Sequence, residues 1–248
     1  MKKQALSLCS MFLFCISTIG LSQSQASDFT KDEQQSIDEF VQNSSDIQFQ
    51  MLPFNRLVFS ERNGQTMVTS ENGRYRFNGS ITDTWTQTEI RFFNDAVYSA
   101  NHLPLDNIGN LDPGMLEPLT FGSGPQEVVA FVLPDHEPSI QFLKEIQNLG
   151  SRFTFQLLVL TPPDAPRDLL ASYSCPSDKE RALNALLTNR GFGRIPFDRG
   201  CDLVTLNNRF ITHSLLGFYD LPAVIAPSSR ILQGNQENWT GFLLNNMK

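Results

Sequence analysis

The stretch Val128-Val129-Ala130-Phe131-Val132-Leu133, then Pro134-Asp135-His136-Glu137-Pro138, then Ser139 to Leu149, decides the fold. Its first six residues are apolar throughout, as in a strand buried on both faces. Ser139 to Leu149 reads as a helix, and Phe153 to Leu160 as a second apolar strand, closed by Pro162-Pro163. Strand, helix, strand in that order begins an α/β layered domain. Further along, Asp178 to Thr188 and Leu203 to Leu216 read as helices, Ala223-Val224-Ile225 as a strand, and Trp239 to Asn246 as a closing helix.

Upstream the pattern differs. Between Ile47 and Trp85, short runs such as Leu57-Val58-Phe59, Thr66-Met67-Val68 and Tyr75-Arg76-Phe77 alternate with Asn63-Gly64, Asn72-Gly73 and Asn78-Gly79. Asn-Gly supplies the positive φ that tight hairpins demand, so a small antiparallel sheet is expected. Thr88 to Asn101 returns to helical spacing through Ile90, Phe93, Val97 and Tyr98, and His102 to Gly124, rich in Pro, Gly and Asn, reads as a linker with one helical turn. Phe29 to Asn43, with Ile37, Phe40 and Val41 among polar residues, reads as a short amphipathic helix.

The N-terminus bears on compartment. Lys2 and Lys3 precede the uncharged, almost wholly apolar Ala5 to Leu21, and Ser24-Gln25-Ala26 offers small residues for a signal peptidase. At 17 residues this run falls short of the roughly 20 that span a bilayer, which favours a cleaved export signal over an anchor. Cleavage after Ala26 removes Lys2, Lys3, Cys9 and Cys15, and takes the formal charge from −7 to −9. So acidic a chain has no electrostatic case for binding nucleic acid or anionic lipid. Cys175 and Cys201 then remain, and in an oxidising compartment two cysteines normally pair. A loop of that length is worth roughly 3.5 kcal/mol in the chain-entropy account, a structural contribution.

The order of export signal, hairpin sheet, helix and α/β domain resembles the DsbC/DsbG-type periplasmic disulfide isomerases. Four pieces carry the likeness: Asn72-Gly73-Arg74-Tyr75-Arg76-Phe77-Asn78-Gly79, Cys175-Pro176-Ser177-Asp178, Cys201-Asp202, and Gly217-Phe218-Tyr219-Asp220-Leu221-Pro222. The resemblance implies an α+β / α/β chain: signal peptide (1–26), cystatin-like antiparallel dimerisation domain (27–88), linker helix and loop (89–124), and thioredoxin-like domain with a helical insertion (125–248). It implies a structural disulfide between Cys175 and Cys201, and a homodimer paired through the N-terminal sheets. Neither cofactor nor metal follows from it.

The departure falls where that family does its chemistry. Val128 to Val132 resembles the strand leading into the redox motif, yet where the family has Cys-x-x-Cys this chain has His136-Glu137-Pro138-Ser139. No thiol is there to attack a disulfide or to resolve a mixed one, so no catalytic residue is assigned. A Ser-His-acid reading of Asp135, His136, Glu137 and Ser139 fails because neighbours at a helix start point apart, and no Gly-x-Ser-x-Gly elbow occurs. The alternative is a polar helix start, with Ser139 or Asp135 capping and Pro138 in the first turn. The histidines His102, His136 and His213 share no metal-ligand spacing, and His213 reads as a surface or packing residue.

Pro222 resembles the family's cis-proline, with Leu221 before it where the isomerases usually have threonine. That leaves an apolar surface of Leu221, Pro222, Tyr219, Phe218 and Leu133 suited to an extended segment. Three functions are consistent with these readings. The first is a redox-inactive periplasmic protein that holds unfolded or extended polypeptide, as a chaperone or as an assembly factor acting on an envelope-complex subunit. The second is a diverged isomerase shuttling Cys175 and Cys201. The third is a dedicated component of a secretion or conjugation apparatus.

Overall fold

The computed structural model describes residues 48–52, 57–70, 72, 74–108, 111–161, 165–190, 195–198 and 204–248. The expected signal segment, the Phe29 to Asn43 helix and Cys201 lie outside them.

Strands β1 (Gln48–Met51), β2 (Leu57–Arg62), β3 (Gln65–Ser70) and β4 (Arg76–Phe77) form an antiparallel sheet in sequential order. Asn63 and Gly64, at φ 51° and 76°, close the β2–β3 hairpin with Arg62 opposite Gln65, as an Asn-Gly turn should. Asn78-Gly79 does something else. It leads out of β4 into a separate two-stranded sheet of β5 (Ile81–Asp83) and β6 (Thr88–Ile90). That hairpin is turned by Asp83, whose carboxylate accepts from the Trp85 and Thr86 amides at 2.9 and 3.3 Å.

Thr88 to Ile90 is therefore strand, and the helix expected from Thr88 starts only at Phe93. Helix α1 (Phe93–Asn101) is started by Asp95, which accepts from the Arg91 and Phe92 amides, and by Glu61 of β2, which accepts from the Phe93 amide at 2.7 Å. Its buried Ala96 packs with Leu52, Phe59, Val68 and Ile90 in a small core of its own.

The following stretch is more ordered than a linker. It makes two 3-10 turns, Leu105–Asn107 and Pro113–Leu116, and then strand β7 (Leu119–Phe121). With β8 (Gln126–Val132), β9 (Phe153–Val159), β10 (Ala223–Ile225) and β11 (Ile231–Gln233), β7 builds a five-stranded sheet ordered β11-β10-β8-β9-β7. β8 and β9 are parallel, and every other pairing in that sheet is antiparallel. Helix α2 (Glu137–Ile146) makes the crossover between the parallel pair. A parallel β-α-β unit followed by an antiparallel pair, in the order fourth-third-first-second, is the thioredoxin-like arrangement.

Alternation along the strands buries both faces. Val128, Ala130, Val132, Phe155 and Leu157 enter one core with Phe142 and Ile146 of α2. Val129, Phe131, Leu158, Ala223 and Ile225 enter the other, beneath Leu103, Ile108 and Leu116 of the connecting segment. Each fully buried large apolar side chain of this kind is worth about 1.5–3 kcal/mol. Among the described residues between β9 and β10 are the helices α3 (Arg167–Ser174), α4 (Lys179–Thr188) and α5 (Val204–Leu215). Helix α6 (Trp239–Leu244) closes the chain, placing Trp239 edge-on against Phe142 with centroids 5.1 Å apart.

Candidate functional site

The site is built at the C-terminal end of β8. Leu133, Pro134, Asp135 and His136 turn the chain, the His136 amide reaching the Leu133 carbonyl at 3.4 Å. Asp135 sits at φ 61°, where the third place of a proline-initiated type II turn requires a positive value and where aspartate is among the few residues tolerated. His136 is then the N-cap of α2, with no side-chain capping bond, and Pro138 lies in the first turn. Glu137 is exposed and its carboxylate accepts from the Gln141 amide.

Ser139 does not cap the helix, and neither does Asp135. Ser139 stands three residues into the helix and is fully buried, its hydroxyl accepting from the Leu133 amide at 3.2 Å. His136 Nδ1 lies 3.4 Å from the same oxygen. That hydroxyl ties the strand end to the helix start and is closed to any substrate. His136 and Ser139 thus hold the N-cap and third helical positions, the spacing a Cys-x-x-Cys would take.

The opposite wall comes from the chain entering β10. The Leu221-Pro222 peptide bond is cis. Ala223 pairs with Phe131 and Val224 with Ala130, and this register continued brings Leu221 level with Leu133. Leu133 and Leu221 are half-buried, Pro222 is buried, and Tyr219 is 66% exposed. The wall is fixed from behind by Gln233, whose side-chain oxygen accepts from the Tyr219 and Asp220 amides at 2.9 and 3.2 Å, and by the Gly234 amide donating to the Pro222 carbonyl. Phe218 is buried beneath with Phe131, their centroids 5.6 Å apart, and His213 packs on both rings. His213 is accordingly a packing residue, and burial holds its imidazole below the usual histidine range.

No model of a protein family matches this chain, and no curated protein does. Solved structures do resemble it. Similarity to a disulfide interchange protein from Neisseria gonorrhoeae covers 53% of this chain and 96% of that one, at 16% identity and a TM-score of 0.44. Similarity to a linker-deletion mutant of ScsC from Proteus mirabilis covers 53% and 76%, at 12% identity and a TM-score of 0.37. A conserved protein of unknown function from Enterococcus faecalis is matched over 55% of this chain and 99% of that one, at 13% identity and a TM-score of 0.36. Strand order and register by themselves make the fold thioredoxin-like.

Two further buried polar residues stand near the C-terminal end of β9. Arg209 of α5, only 1% exposed, donates to the carbonyls of Leu116, Glu117, Val159 and Tyr173, so one guanidinium joins the connecting segment, the end of β9 and the end of α3. Burial lowers its pKa to about 10, which leaves it a cation at neutral pH. Tyr173 is fully buried, and burial, with Asp135 nearby, pushes its hydroxyl well above the ordinary tyrosine range. Sequence reading missed both. A signal was there for Arg209: it shares the spacing of Leu206, His213 and Leu216, the apolar side of its helix.

Cys175 follows α3 and is disulfide-bonded. The neighbouring loop is strapped by the Pro176–Phe197 bridge and by the Asp198 amide donating to the Cys175 carbonyl. Among the described residues, no group of three or more His, Cys, Asp or Glu is placed to hold a metal ion. Among them, too, no helix is long and apolar enough to cross a membrane.

Proposed function

We propose that this is a redox-inactive, DsbC-like periplasmic protein that holds extended polypeptide, as a chaperone or as an assembly factor for an envelope complex. One observation carries the reading: His136 and Ser139 occupy the N-cap and third positions of α2, at the end of β8 where the neighbouring strand is entered through a cis Leu221-Pro222 bond. The scaffold of a thiol-disulfide site is kept while its thiols are replaced. Ser139, its hydroxyl engaged with the Leu133 amide, serves the turn and leaves no reacting group. What remains is an apolar lip of Leu133, Leu221 and exposed Tyr219 beside polar backbone, a surface for binding without chemistry.

Export rests on the N-terminal signal pattern. Dimerisation through the N-terminal sheet is supported by exposed Met67 of β3, Tyr75 just before β4 and Phe77 of the edge strand β4, an edge that calls for cover. The mature chain should suppress aggregation of a reduced, unfolded protein at near-equimolar ratio. Failure to slow that aggregation, together with reduction of insulin above background, would overturn the reading.

A further inference from the structure

The apolar lip lies at the end of the sheet where exposed carboxylates outnumber basic residues. Because β10 runs antiparallel to β8, and β11 antiparallel to β10, the β8–α2, α5–β10 and β11–α6 connections emerge at one end of the sheet. The first carries Asp135 and Glu137, the second Asp220 and the third Glu237, all exposed. None of the three connections contains lysine or arginine. Asp220 donates its backbone N–H to the Gln233 side-chain oxygen and lies against Gly234, where an added Cβ would stand 3.2 Å from the Asp220 Cβ. Glu237 follows three residues after that glycine. The fourth connection at this end, after β9, brings one basic residue, Arg167, with Asp168 beside it. The opposite end of the sheet mixes signs, with Arg152, Arg230 and Lys248 alongside the exposed Asp106, Asp112 and Glu127.

An apolar floor at a sheet end that carries four exposed carboxylates discriminates among extended chains by charge. Acidic segments are repelled, neutral ones gain only the apolar contact, and basic ones gain both. We infer that the polypeptide this site takes is a basic extended segment, with an apolar or aromatic residue seated between Leu133 and Leu221 and lysine or arginine on either side. The inference rests on the polypeptide-binding reading above and names its client by charge.

The test uses the mature chain and three fluorescent peptides of equal length and the same aromatic residues, with lysine, glutamine or glutamate at the flanking positions. Anisotropy at low salt should show the lysine peptide binding about tenfold tighter than the glutamine peptide, the sum of several modest surface pairs. That margin should shrink below about twofold in 0.5 M NaCl. It should shrink likewise in the variant Asp135→Asn, Glu137→Gln, Asp220→Asn, Glu237→Gln. The salt series on the unaltered protein decides the matter even if the fourfold variant fails to fold. Equal binding of lysine and glutamine peptides overturns the inference and leaves the polypeptide-binding reading standing. Binding of none of the three overturns both.

Discussion

Ser139 is the residue on which the geometry of the site turns. Its hydroxyl is the partner of the Leu133 amide at a position with no solvent access. Ser139→Ala should lower stability by about 1–3 kcal/mol, the cost of an orphaned buried donor, read from the midpoint of urea unfolding. Arg209 is a larger case. Arg209→Leu strands four carbonyls that now share one guanidinium, and a loss of about 3–5 kcal/mol is expected. Arg209→Lys should rescue little of it, because an ammonium cannot reproduce the planar fork. The sequence marks Arg209 as a cation on the apolar side of its helix but does not mark the role of Ser139. A serine near a helix start reads as a cap, and only the fold reveals that this one points inward.

At the scale of elements, His213 couples α5 to β8. Its imidazole packs on Phe131 and Phe218, and burial depresses its pKa. The unfolded chain therefore takes up the proton first. Stability from the neutral ring is complete above about pH 6.5 and is lost as pH falls through the lowered folded value. Asp83 adds a second loss at lower pH. Burial works against its charge, but bonds from Ser99, Thr86 and the Trp85 amide prevail and hold its carboxyl below the usual range. His213→Leu should flatten the fall in urea midpoint between about pH 7 and pH 5 and leave the more acidic fall in place. Glycine is required at position 124, where a Cβ would stand 2.0 Å from the Arg152 carbonyl carbon, so Gly124→Ala should prevent β7 and β9 from closing as they do.

The elements were unevenly legible. Continuous apolar runs announced β8 and β9 because both faces of those strands are buried. β7 was hidden, being three residues inside a Pro- and Gly-rich stretch, where sheet pairing outweighs composition. β6 reads as helix in the sequence because Ile90 keeps helical spacing with Phe93 and Val97. Its pairing with β5 wins instead, fixed by the Asp83 turn. Helix α3 was missed behind Pro162-Pro163, and β11 is a three-residue edge strand with little pattern of its own. The location of His136 and Ser139 was legible through the family likeness alone, since no periodicity marks a missing cysteine.

At the scale of the whole molecule, the proposal joins an N-terminal sheet that pairs with a second copy to a thioredoxin-like body that grips polypeptide. Sedimentation of the mature chain should give a dimer, and Phe77→Asp, at an exposed edge position, should give a folded monomer. The central claim is that the scaffold survives without its redox chemistry. Insulin reduction with dithiothreitol, run on the mature chain beside His136→Cys/Ser139→Cys, tests it most directly. The account predicts the background rate for the unaltered protein and a clear gain for the double variant, whose new thiols take the N-cap and third helical positions. Reduction well above background by the unaltered protein, abolished by Cys175→Ser, would contradict it.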